Sequence, residues 1–191
     1  MPTVLITGGT GMIGTALSRH LLNQGYDVII LSRNPVQTAS VYKTSSSQNS
    51  FRPSGNIFYA KWDTEKKMID PQAIAKADHI VHLAGEGVAK KRWTKKRKEE
   101  IRLSRTQSSE LLFSCLSSQT NKVKSVISAS AIGWYGPDQG KVFTEDDPSS
   151  NDFLGQTCKA WEESIDKVQT LGKRLVKLRL GIALSNEGGA L

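Results

Sequence analysis

Short apolar runs recur along the chain at 3–6, 27–31, 57–60, 79–83, 124–129 and 175–180, and the segments between them, at about 13–24, 70–77, 95–119 and 155–171, carry apolar residues at helical spacing. That alternation predicts an α/β fold: a doubly wound parallel sheet covered by helices on both faces. Punctuation agrees with the periodicity. Gly25 suits a helix C-cap, Asp70 followed by Pro71 suits an N-cap and first turn, and Gly172 closes the helix that begins near Gly155. The serine-rich stretch between about 38 and 56 is too polar to pack and is expected to be a flexible surface insertion. No internal repeat is visible.

The first strand, Val4-Leu5-Ile6, runs into Thr7-Gly8-Gly9-Thr10-Gly11-Met12-Ile13-Gly14 and then into an amphipathic helix. A glycine turn between strand and helix is a phosphate cradle, because amides at a helix N-terminus attract anions and glycine lets the backbone approach them closely. A glycine turn alone is weak evidence. With a second strand arriving at Asp27, the context predicts dinucleotide binding through Gly8, Thr10, Gly11, Met12, Ile13 and Gly14. The second strand ends Leu31-Ser32-Arg33-Asn34. A site for NAD needs an acidic residue here for the ribose hydroxyls, whereas a cation suits the 2′-phosphate of NADP. Arg33 is therefore the expected phosphate anchor, with Ser32 and Asn34 as neutral donors, and NADP is preferred over NAD. Asp27 lies at the other end of that strand, too far to serve.

The third strand leads into Lys61-Trp62-Asp63 and the fourth into His82-Leu83-Ala84-Gly85-Glu86. Both points fall where strand C-termini face the ligand crevice of an open parallel sheet. Asp63 either accepts from an adenine amino group or caps a turn. Leu83, Ala84 and Gly85 let backbone pass close to a cofactor, Glu86 stands at the crevice mouth, and His82 is expected to be a hydrogen-bonded core histidine.

A chain of 191 residues with 38% hydrophobic content holds one substantial core, so residues 1–191 are read as a single nucleotide-binding domain. No charged leader or long apolar segment points to export or a membrane, and Cys115 and Cys158 have no metal-like spacing, so a cytoplasmic protein without a metal is expected. The formal net charge of +8 is partly local: Lys90 to Lys98 holds seven cations in nine residues. It reads first as a solvated helix start, balanced by Glu99, Glu100 and Glu110, then as a contact for an anionic substrate or cofactor. No nucleic-acid module accompanies it, and nucleic acid is not an expected partner. The chain ends just after a strand with no helix to cover it, so a substrate-binding region is expected to be missing.

With Ser128-Ala129-Ser130 at the end of the fifth strand and Lys159 on the following helix, the chain resembles, over nearly its whole length, the extended short-chain dehydrogenase/reductases, a Rossmann-type family that includes sugar-nucleotide epimerases and dehydratases. His82-Leu83-Ala84-Gly85-Glu86, Arg92-Trp93-Thr94, Ser104-Arg105, Gly133-Trp134-Tyr135-Gly136 and Lys159-Ala160-Trp161-Glu162 narrow the resemblance to an NAD(P)-dependent epimerase-like subgroup. The resemblance implies that Ser130, or Ser128, holds a substrate oxygen. It also implies that Lys159 binds the nicotinamide ribose and lowers the pKa of a tyrosine four residues before it. At that position stands Gly155. Tyr135, from the loop after the fifth strand, is the available substitute, or else it is a packed turn aromatic.

The expected function is accordingly that of an NADP-binding oxidoreductase or epimerase-like protein acting on a carbonyl or hydroxyl of a small substrate, nucleotide-linked sugars included. Hydride transfer would be assisted by Ser130, with Tyr135 or water relaying the proton. The rival is a non-catalytic NADP-binding sensor, which Gly155 favours. A homodimer is left open.

Overall fold

The structure is a computed structural model that describes residues 1–35, 54–88, 91–185 and 188–189. Most of the expected insertion at 38–56, and Lys90 of the basic run, lie outside the described residues. Nine strands are described: β1 (Thr3–Thr7), β2 (Asp27–Ser32), β3 (Ile57–Asp63), β4 (Met68–Ile69), β5 (His79–His82), β6 (Ser125–Ala131), β7 (Arg174–Leu180), and a small antiparallel pair, β8 (Leu184–Ser185) and β9 (Gly188–Gly189). The helices are α1 (Met12–Asn23), α2 (Pro71–Lys76), α3 (Lys95–Ser118) and α4 (Phe153–Asp166).

Seven strands form one sheet in the order β4-β3-β2-β1-β5-β6-β7, parallel throughout except for β4. The doubly wound sheet is therefore as the hydrophobic pattern predicts. What the pattern did not show is the two-residue antiparallel edge β4, which is too short to carry a periodicity. The segment read as one helix over 155–171 is also divided: α4 ends at Asp166 and a 3-10 turn, Lys167–Leu171, carries the chain to Gly172 at φ +69°.

Alternation along the strands sorts the core into two layers. On one face Val4, Ile6, Val28 and Ile30 pack with Leu22 of α1; on the other, Leu5, Ile29, Leu31, Ile80 and Val126 pack with α2, α3 and α4 through Ile74, Leu112 and Ile165. A period-two strand buried on both sides supplies both layers with the same five residues. Caps fix the helix starts: Asp70 accepts from the Gln72 amide at 2.9 Å, Thr94 from Arg97 at 3.2 Å and Asp152 from Gly155 at 2.7 Å.

The chain runs outward from β1 through β2 and β3 to one edge, then returns to place β5 on the other side of β1. Strand order reverses between β1 and β5, and in open parallel sheets the crevice beyond such a switch point is where ligands bind.

Candidate functional site

A solvent-open crevice of about 600 Å³ lies at that switch point. Its wall includes Gly8, Thr10 and Gly11 after β1, Ser32, Arg33 and Asn34 after β2, Leu83, Ala84 and Gly85 after β5, and Trp62, Thr64, Glu86, Ser104 and Ser108.

The glycine turn has its shape for steric reasons. Gly8 has φ +70°, and a Cβ there would also meet the backbone of Leu83 and Ala84 at 2.9–3.0 Å. A Cβ at Gly14 would fall on the Gly8 carbonyl. The turn can close only if both residues lack side chains. Gly11 caps α1 with extended backbone and no side-chain hydrogen bond, and the first turn holds no acidic residue. The partial positive charge and outward amides of that helix end are thus left for an external anion. Met12 and Ile13 belong to this turn through their backbone; their side chains line a separate groove beside α1 with Leu184.

Thr7 organises the opposite wall, and nothing in the sequence pattern marked it. Its Oγ1 accepts from the amides of Leu83 and Ala84, both at 3.1 Å, and lies 2.7 Å from His82 Nδ1. With its lone pairs so engaged, the hydroxyl proton goes to Nδ1. His82 Nε2–H then points to Ser109 Oγ at 3.2 Å, whose own proton goes to the Arg105 carbonyl. His82 is fully buried and neutral, with burial lowering its pKa to about 4. The core reading of this histidine agrees with its geometry. It joins β1, β5 and α3 directly under the crevice.

Ser32 Oγ accepts from the Asn34 amide at 3.1 Å, and the Arg33 side chain is exposed beside it on the crevice wall. Asp27, at the far end of β2, is occupied by the Asn56 amide at 2.8 Å. Asp63 ends β3 next to crevice residues Trp62 and Thr64. Its Oδ1 caps a turn by accepting from the Glu65 and Lys66 amides, both at 3.0 Å, and the Lys66 amide first of all holds its carboxyl below the usual range. Ser104 and Ser108, one helical turn apart on α3, reach the wall from below, and Ser104 Oγ accepts from the Glu86 amide at 3.0 Å. The i, i+4 serine pair was the signal available in the sequence.

Four residues with expected chemical roles stand off this wall. Ser130 is 2% exposed, and its Oγ donates to Glu162 Oε1 at 2.6 Å. Ser128 is fully buried, and its Oγ donates to the Ala129 carbonyl. Tyr135 lies in a 3-10 turn after β6, stacked on Phe143 at 5.0 Å, with its hydroxyl accepting from Arg179 Nη1 at 3.0 Å. Lys159 is exposed on α4. Glu162 binds this region together. Burial pushes its pKa up, but hydrogen bonds from Arg179 and Ser130 outweigh that and hold the carboxyl below its ordinary value. Its pairing with Arg179 is close, at 2.9 Å, and raises the arginine's pKa in turn.

Gly155 is closed by the fold. A Cβ at this position would fall on the Ser150 carbonyl oxygen, so the first turn of α4 sits against the preceding loop with no room for a side chain. The missing tyrosine is thus not a simple substitution on an open helix face.

The strand order, the switch-point crevice and the glycine turn define a Rossmann-type α/β protein. Comparison with known proteins makes this more specific: the profile of the NAD dependent epimerase/dehydratase family matches residues 4–159, and the chain belongs to that family. It is 35% identical to an epimerase family protein of Staphylococcus saprophyticus, with all of this chain matched to 58% of the relative, and 34% identical to epimerase family protein YfhF of Bacillus subtilis, 97% matched to 56%. The chain therefore spans a little over half the length of these relatives. Among solved structures it is similar to a nucleoside-diphosphate sugar epimerase from Corynebacterium glutamicum (33% identity, TM-score 0.74, all of this chain and 36% of that one). It is also similar to human epimerase family protein SDR39U1, determined with NADPH (26% identity, TM-score 0.73, 98% and 56%). Among the described residues there is no helix long and apolar enough to cross a membrane.

Proposed function

We propose that this protein binds NADP in the switch-point crevice and acts as an epimerase or oxidoreductase on a carbonyl or hydroxyl of a small substrate, nucleotide-linked sugars included. The observation that carries the reading is the crevice itself, whose wall brings a glycine turn and a helix end without a side-chain cap together with Arg33 from the end of β2. The NADPH reported with the human relative supports the same cofactor.

The residues present fit a dinucleotide. The amides of Met12 to Gly14 would take the pyrophosphate, with Gly11 shaping the turn by donating its own amide to the Gly8 carbonyl at 3.0 Å; Arg33 and Ser32 would take the 2′-phosphate, and Leu83 to Gly85 would let the backbone approach the nicotinamide half. Asp63, one residue from the crevice wall, is kept as a contact for the adenine end through the carboxylate oxygen not used by its turn. A bound nicotinamide supplies or accepts a hydride.

The chain's own residues would do the rest. Ser130 gives its proton to Glu162, so toward a substrate hydroxyl its oxygen would act only as an acceptor, once that hydroxyl reached its buried position. Lys159, one turn of α4 beyond Gly155, would hold the nicotinamide ribose. Tyr135 would move the proton, its hydroxyl supported by the Arg179 cation. The decisive measurements are affinities for NADPH and NADH, followed by turnover of the complete protein over a panel of carbonyls and nucleotide sugars. Equal affinity for both cofactors would remove Arg33 from its role, and unchanged turnover in a Ser130→Ala, Tyr135→Phe double variant would remove the proposed chemistry.

The closed space at Gly155 favours a second reading, a non-catalytic NADP sensor. Tight NADPH binding with no oxidation across the whole panel would select it.

A further inference from the structure

Arg105 is a part-buried cation beside the crevice that has no ion-pair partner among the described residues. It lies on α3 between Ser104 and Ser108, both on the crevice wall, and its guanidinium is pressed against Gly85, also on the wall. A Cβ built on Gly85 would stand 3.2 Å from Arg105 Cζ. One face of the guanidinium is covered by Trp161, whose ring centroid is 5.0 Å from Cζ. Nη1 donates to two main-chain carbonyls, Glu86 at 3.0 Å and Ile101 at 2.9 Å. Among the described residues Nε and Nη2 have no acceptor, and no carboxylate is within ion-pair distance. Glu86 gives Arg105 its carbonyl but its carboxylate goes to Arg97, 3.1 Å away. The contrast with the other arginines drawn inward is direct: Arg97 has Glu86 and Glu100, and Arg179 has Glu162.

A guanidinium does not discharge by losing its proton, so partial burial with no carboxylate at ion-pair distance leaves a standing positive potential. The Nε–H and Nη2–H edge left over is the planar fork that accepts two oxygens of a carboxylate or phosphate side by side. The dinucleotide's own anions are met elsewhere in the proposed site, by the glycine turn and Arg33. We propose that the free edge of Arg105 binds an oxyanion carried by the substrate, which makes the substrate class an acidic carbonyl or hydroxyl compound, a carboxylate or a phosphate. This rests on the cofactor reading above.

The test uses the complete protein saturated with NADPH, so that the turn and Arg33 are filled, at chloride-matched ionic strength. The Arg105 Nε–H resonance, identified by its absence in Arg105→Lys, is followed as malonate, inorganic phosphate or the neutral malonamide is added. A saturable shift with malonate, with phosphate or with both, and none with malonamide, is expected; which anion acts tells carboxylate from phosphate. Arg105→Lys is expected to weaken binding of that anion about tenfold or more while NADPH affinity and Tm stay unchanged. A resonance that neither anion moves, or anion affinity unaltered in Arg105→Lys, overturns the proposal and leaves Arg105 as a structural brace for residues 85–86. If Arg105→Lys does not fold, the resonance is assigned through backbone connectivity and the wild-type titration decides. Failure to saturate with NADPH is read beforehand, in the cofactor titration, and counts against the cofactor reading; the anion titration is then run on the protein alone.

Discussion

At the scale of single residues, two positions separate what the site holds from what it does. Arg33 is the only described cation on the crevice wall, standing exposed at the end of β2. A charge-assisted contact with a 2′-phosphate contributes about 1.5–3 kcal/mol, so Arg33→Ala is expected to weaken NADPH roughly 10- to 100-fold and leave NADH unaltered, as read by calorimetric titration. Gly155 acts in the opposite sense, by what it excludes. Because a Cβ would collide with the Ser150 carbonyl, Gly155→Ala is expected to lower stability by roughly 1–3 kcal/mol in urea unfolding. Restoring a tyrosine there should unseat the start of α4 rather than create turnover. The glycine was legible in the sequence as a gap in a pattern. Its cause was not, since Ser150 approaches only after the loop before α4 has folded back.

Between elements, buried polar groups tie the crevice to its supports. His82 links β1 to α3 through Thr7 and Ser109 and is neutral in the fold. Its pKa is about 4 when folded against 6.5 for the free side chain, so the unfolded chain binds the extra proton first as the medium is acidified. The His82 contribution is complete above about pH 6.5 and is lost as pH falls from there to about 4, at a cost of roughly 3 kcal/mol. Unfolding free energies across that window should slope downward toward acid, and His82→Gln should flatten the slope. Glu162 plays a comparable part between α4, β6 and β7. Its folded pKa is depressed, so its stabilisation is present above the carboxylate range and fades below it. Glu162→Ala strands Arg179 and Ser130 and is expected to cost about 3 kcal/mol by chemical denaturation. The helices and strands carrying these residues follow from periodicity; their partners, 17 to 75 positions away, do not. The Thr7 to His82 separation of 75 residues is one such case.

For the molecule as a whole, the switch-point crevice links cofactor to stability. A ligand that binds only the folded state adds about 2.7 kcal/mol at one hundred times its dissociation constant. NADPH should therefore raise Tm in a thermal scan, and by more than NADH at equal concentration. The sequence by itself determined the layered architecture, because period-two strands and helical spacing depend on neighbours within a few residues. It determined the glycine turn and the cation after β2 for the same reason. Only the tertiary structure decided that Thr7 holds residues 83–84, that Glu162 takes the proton of Ser130, that Gly155 admits no side chain, and that part-buried Arg105 has no ion-pair partner among the described residues. Each depends on groups brought together from distant parts of the chain, where burial and partners, not spacing, set the chemistry.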